Sequence, residues 1–118
     1  IRTDLRGVER AEAAVLDLLR REPAPTAIFA GQNLLTTGAY RALRRLNLHH
    51  KVALVGFDDI PLADLLEPGI TVMAQNPIAM GRAAVQLLFR RIDGDRSPSV
   101  HEVISTRLIA RGSGEIHA

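Results

Sequence analysis

The stretch Val52–Asp59, VALVGFDD, constrains this chain more than any other. Its four apolar residues, three of them β-branched or tolerant of strand geometry, run into a glycine, an aromatic ring and two adjacent carboxylates. That is a buried strand with a polar end. Two further short runs repeat the plan: Thr26–Ala30 (TAIFA) leads to Gln32 and Asn33, and Ile70–Ala74 (ITVMA) leads to Gln75 and Asn76. In an open parallel α/β sheet, ligands bind in the crevice beyond the carboxyl ends of the strands, so function is to be sought at these ends.

The segments between the runs carry helical periodicity. Within Gly7–Arg21, the residues Val8, Ala11, Val15 and Leu18, with Ala14 and Leu19, form one apolar face opposite Glu9, Arg10, Glu12, Asp17 and Arg20. Pro23 and Pro25 stop that helix and deliver the chain into the first run. Asn33 is placed to cap a helix over Leu34–Asn47, with Leu35, Ala39, Ala42, Leu43 and Leu46 inward. Asn76 followed by Pro77 opens another over Pro77–Ile92, whose inward residues are Met80, Ala83, Ala84, Leu87, Leu88 and Ile92. After the aspartates, IPLADLLEPG allows a short helix at most. Val100–Ala110 alternates as a strand, and RGSGEIHA reads as a frayed end. Strand, helix, strand is a right-handed crossover with parallel pairing. The expected fold is therefore α/β, with a parallel sheet covered on both faces.

With 118 residues and an apolar content of 47%, the chain has material for one core, a single domain or a piece of one. Cysteine is absent, which excludes disulfides, thiolate metal sites and cysteine nucleophiles. No apolar run approaches the roughly 20 residues of a membrane span, and IRTDLRG lacks the apolar core of a signal peptide. The basic residues are nearly all arginine, but the net charge is only +2. Arg41, Arg44 and Arg45 fall at helical spacing, which describes a solvated helix face better than a nucleic-acid surface. His49 and His50 enter a strand at the end away from the polar pairs and have no companions at metal-ligand spacing. No Gly-rich phosphate loop or nucleophile elbow is present, so an enzyme using the paired aspartates has little support.

The polar strand ends offer amides and carboxylates without a nucleophile, a set suited to hydrogen bonding with hydroxyls. Asn76 and Asp59 precede helix-compatible segments and fit the cap position, and Asn33 fits a cap and a ligand contact equally. Asp58 and Gln75 fit that position less well and are the better ligand candidates, with Phe57 as an apolar wall beside them. The combination suits a sugar or a nucleoside.

The series PTAIFAGQNLLTTGAYRALRRLNL, VALVGFDDIPLADLLEPGITVMAQNPIAMGRAAVQLLFRRIDG and STRLIARGS resembles the C-terminal part of the lactose-repressor family of bacterial transcription regulators. GFDD, an EPGITV element shortly after it, a glutamine closing that run and MGRAA in the next helix carry the resemblance together, from about Pro25 to Ser113. It implies a two-lobed, periplasmic-binding-protein-like (type I) sensor behind an N-terminal helix-turn-helix head. An effector, here a carbohydrate, binds between the lobes and alters the fit of paired heads to operator DNA.

By the same resemblance, effector contacts fall on Asp58, Gln32 and Gln75, with Asn33 and Phe57 adjoining. Two departures stand out: relatives commonly carry Asn-Asp where this chain has Gln32 and Asn33, and Pro77 stands where some sugar-responsive members have an aromatic. Residues 1–74 and 105–118 are expected in the C-terminal lobe and 75–104 in a segment returning to the other lobe. The DNA-binding head would lie outside the sequence, and operator DNA would be contacted only through it. Leu62, Leu65 and Leu66 are expected at a homodimer interface. The resemblance implies no cofactor, no metal, no catalysis and a cytoplasmic, membrane-free setting. A transport receptor of the same fold is the alternative.

Overall fold

Apolar stripes broken by proline, glycine and polar clusters produce the expected elements in the expected order. The computed structural model describes residues 1–117. Its elements are α1 (Val8–Leu19), β1 (Ala27–Ala30), α2 (Asn33–Arg45), β2 (Ala53–Phe57), β3 (Thr71–Ala74), α3 (Pro77–Ile92) and β4 (Arg107–Ile109). Ala11 and Val15, four residues apart, bury the inner stripe of α1 while Glu9 and Arg10 stay exposed. At α3 the predicted start holds: Pro77 is the first helical residue, and the Asn76 side chain accepts a hydrogen bond from the Ala79 N–H at 3.0 Å. At α2 it does not. Gln32 occupies the N-cap through its backbone, and Asn33 is already helical, its Oδ1 accepting only from the adjacent Leu34 N–H.

The sheet order is β1-β2-β3-β4, with β1, β2 and β3 parallel. Thus the α2 crossover is parallel, as expected. β4 runs antiparallel to β3, pairing Val72 with Ile109 and Ala74 with Arg107. The alternation over Val100–Ala110 yields only this short strand, because residues 100–106 have no strand alongside them to complete a ladder. No described helix is long and apolar enough to cross a membrane.

Burial of Leu43, Leu54, Ile70 and Val72 defines the core. Helix α2 lies on β1 and β2, and α1 lies on α2. The two helices approach closely at Gly38, where an added Cβ would sit 2.4 Å from the carbonyl oxygen of Val8 and 2.6 Å from Ala11 Cβ. Helix α3 departs from the expectation of a sheet covered on both faces. Among the described residues it packs against no other helix or strand, and of its anticipated inward residues only Ala83 is buried; Met80, Leu88 and Ile92 are exposed. Its neighbours are instead the residues of the extended segment 100–106, across a groove lined by Ala83, Leu87, Val100 and Ile104.

The tail read as frayed is inserted into the fold. Ser113 is buried, and its hydroxyl donates to the Leu54 carbonyl at 2.6 Å while accepting the Thr71 N–H at 2.9 Å. Its backbone adds bonds from Leu54 N–H to its carbonyl and from its own N–H to Gly69 O. The tail therefore ties the entrances of β2 and β3, satisfying backbone groups that would otherwise be buried without partners. Periodicity cannot reveal this, since the segment is short, polar and glycine-rich.

Candidate functional site

β2 reaches the site through Gly56. Thr36 of α2 is fully buried over it, so a Cβ at Gly56 would fall 2.6 Å from Thr36 Oγ1. The Thr36 hydroxyl in turn donates to the Gln32 carbonyl at 3.0 Å, holding the start of α2 against the end of β2. The glycine of GFDD is thus required by helix–strand approach. The pairings Ala30↔Gly56 and Phe57↔Met73 align the three parallel strands so that their carboxyl ends open on one edge.

At that edge Asp58 adopts φ 66°, a left-handed conformation that aspartate takes with some strain, and its N–H donates to the Met73 carbonyl at 3.0 Å. The turn aims its carboxylate at Gln75, whose Nε2 donates to Asp58 Oδ1. Both residues line a cleft of about 540 Å³ with Asp59, Ala74, Pro77 and Met80. Asp58 Oδ2 and Gln75 Oε1 accept no hydrogen bond among the described residues. Two free acceptors on an apolar floor suit a ligand rich in hydroxyl donors.

The other expected residues divide. Phe57 is half-buried and lines an adjoining groove that shares Gln75 and Met80 with the cleft. Gln32 and Asn33 are exposed and line neither cavity. Adjacent strand ends bring them to the same edge, at the start of α2, where the Asn33 Oδ1 accepts the Leu34 N–H. Leu62 and Leu65 are exposed, at 65% and 74%, whereas Leu66 is half-buried against the chain's own core.

Asp59 is not a helix cap, because residues 61–68 form turns and bends and not a helix. Instead its carboxylate takes both arms of Arg111, Nη1 to Oδ1 and Nη2 to Oδ2, each at 2.7 Å, and its Oδ1 also accepts the Ile60 N–H. Arg111 is the residue that sequence reasoning missed; its signal was an arginine after the final strand that helical spacing could not explain. Its side chain is 18% exposed and also donates to the Ile70 carbonyl at 3.2 Å.

The Arg111 hydrogen bonds hold the Asp59 carboxyl below its ordinary value of 3.8, against partial burial, which pushes it up. A carboxylate depressed in the folded state contributes stability above its unfolded value and loses it as the pH falls through the folded one. Acid unfolding below about pH 4 is therefore expected to be shallower in Asp59→Asn than in the native chain. The pair is partly solvated, so the difference should be well under 1 kcal/mol. Urea titrations at pH 6 and at pH 3 check it; equal pH slopes would remove the pair from the stability account.

Comparison with known proteins places this geometry. Residues 2–114 match the family described as periplasmic binding protein-like domain. The chain is 38% identical to the HTH-type transcriptional regulator CelR of Thermobifida fusca over 86% of its own length and 31% of the relative's. It thus spans about a third of the length of such curated relatives. A LacI family transcriptional regulator from Arthrobacter sp. FB24, solved in complex with lactose, superposes with a TM-score of 0.79 at 33% identity, over 93% of this chain and 42% of that one. A transcriptional regulator CelR–cellobiose complex superposes with a TM-score of 0.81 at 36% identity, over 92% of this chain and 34% of that one. With a parallel α/β sheet, a ligand-suited cleft at the strand ends and this match along nearly its whole length, the chain belongs to the periplasmic-binding-protein-like domains of the LacI family of transcriptional regulators.

Proposed function

We propose that this chain is the effector-sensing part of a bacterial transcription repressor and that it takes a small carbohydrate against Asp58 and Gln75. The observation that carries the reading is the Asp58–Gln75 pair in a cleft at the ends of parallel strands, with one acceptor on each side chain free among the described residues. The lactose and cellobiose in the related complexes support the ligand class. Of the described residues, 1–74 and 105–117 form one lobe, and 75–104 belong to a second; residue 118 lies outside the described residues. The separation of α3 from the other described helices and strands supports this division. In the whole protein the sugar sits between lobes and alters the affinity of a separate helix-turn-helix head for its operator in the cytoplasm. The site binds and releases its ligand without catalysis: of the two carboxylates lining the cleft, Asp59 is held by both arms of Arg111 and Asp58 meets the Gln75 amide.

Titrating the isotope-labelled chain with cellobiose and then lactose tests the ligand class. Chemical-shift changes are expected at Asp58, Gln75 and Met80. Absence of change with both sugars would overturn the carbohydrate assignment.

The protein also forms a homodimer through the turn that exposes Leu62 and Leu65, apolar side chains that its own core does not cover. Leu66, which packs inward, contributes indirectly by shaping that turn. Sedimentation velocity is expected to show a dimer that Leu65→Asp converts to a monomer. A native chain that stays monomeric at high concentration would contradict the interface.

A further inference from the structure

We propose that Arg111 is a positioning residue for the effector site, setting the Asp58 carboxylate through Asp59; this rests on the reading of Asp58 and Gln75 as the ligand contacts. Asp58 is held at φ 66°, a conformation that persists in a non-glycine residue only where the flanking chain enforces it. On the upstream side, the enforcement is the β2–β3 ladder, extended by the Asp58 N–H to the Met73 carbonyl. On the downstream side, it is the two-armed grip of Arg111 on Asp59.

Arg111 is itself immobilised. Its N–H donates to Thr71 Oγ1 at 2.9 Å, its Nη1 to the Ile70 carbonyl, and the Thr71 hydroxyl donates to Glu115 Oε2 at 2.9 Å. The guanidinium therefore stands on the start of β3, and Gln75 lies just past the end of that strand. One rigid strand carries both the anchor that fixes Asp59 and the amide that meets Asp58. Without the grip, Asp59 is left, among the described residues, with its bond from the Ile60 N–H alone. Asp58 then relaxes toward ordinary backbone angles, swinging its carboxylate away from Gln75. A planar fork is needed for this, since a lysine ammonium neutralises Asp59 but does not fix its orientation.

The test uses the full chain, with Arg111→Ala, Arg111→Lys and Asp59→Ala compared against Ser113→Ala, which disturbs the same tail without touching Asp59. The first readout needs no sugar: the Gln75 side-chain amide proton, shifted downfield by the Asp58 carboxylate. It is expected to move to the free-amide position in all three site variants and to stay in Ser113→Ala. The second readout is cellobiose affinity, expected to weaken about tenfold in the same three. A Gln75 resonance unchanged in Arg111→Ala and Asp59→Ala overturns the proposal, as does an equal change in Ser113→Ala, which would mark general loosening of the tail. Full retention in Arg111→Lys would reduce the role to charge alone and overturn the positioning assignment. If Arg111→Ala does not fold, Arg111→Lys and Asp59→Ala carry the same comparison. A native chain that binds neither cellobiose nor lactose defeats the carbohydrate reading, while the Gln75 resonance still decides the role of Arg111.

Discussion

Gly38→Leu is expected to destabilise the protein by about 3 kcal/mol, the largest effect of any single substitution considered. The atom that blocks the new side chain is a backbone carbonyl: an ideal Cβ at Gly38 lies 2.4 Å from Val8 O and 2.8 Å from the Glu12 N. Neither atom can rotate aside, so α1 must move bodily away from α2 and uncover Ala11 and Val15. Even Gly38→Ala is expected to cost about 1–2 kcal/mol. The same exchange in α3 should have the opposite sign. Gly81 has nothing within 4 Å of its added Cβ, and glycine inside a helix is less favourable than alanine by about 0.8–1 kcal/mol, so Gly81→Ala should slow amide exchange along α3. Urea unfolding of the two alanine variants, with exchange measured on the second, checks the contrast. Equal midpoints for Gly38→Ala and the native chain would mean that α1 and α2 are not closely packed in solution.

Asp58→Ala is expected to weaken cellobiose binding by roughly 10- to 100-fold, and Gln75→Ala by about tenfold. The larger loss at Asp58 follows from its charge, since hydrogen bonds to an ionised acceptor are stronger than neutral ones. Removing the carboxylate also leaves the Gln75 amide without its partner. Gln32→Ala and Asn33→Ala should change affinity by about twofold or less, because neither residue lines the cleft. Calorimetry on the four variants separates these groups. A loss at Gln32 as large as that at Asp58 would show that the cleft extends to the end of β1 and that the site is wider than its present lining.

Sequence pattern carried the reading a long way because each parallel strand is a short apolar run and each helix an apolar stripe. The breakers that end them act within a few residues of where they stand. Asn76 and Pro77 define the start of α3 by local chemistry alone, which is why that boundary was legible. Asn33 was legible as a residue fitted equally to a cap and to a ligand contact, and the cap position fell to Gln32 instead. Thr36 decided the matter by bonding to the carbonyl of Gln32, and Thr36 is held there by contact with Gly56, twenty positions away.

The part that pattern missed depends on pairs distant along the chain. Asp59 looked like a cap because a carboxylate before a helix-compatible segment usually is one. Its partner, Arg111, lies 52 positions on and is brought to it by the return of the chain through β4. The tail failed for the same reason, since Ser113 shows its purpose only beside Leu54 and Thr71. Helix α3 carries the pattern of a buried helix, yet among the described residues no helix or strand covers its apolar face, because amphipathicity records that a face has a partner without saying where the partner is.

The sequence by itself determined that VALVGFDD is a buried strand with a polar end and that Asp58 and Gln75 are its ligand candidates, because strand burial and side-chain chemistry are local properties. Only the tertiary structure decided that Asp58 meets Gln75 while Asp59 is taken by Arg111. Two adjacent carboxylates are chemically alike, and what separates them is the left-handed turn at Asp58, which sends one toward β3 and the cleft and leaves the other to the returning tail.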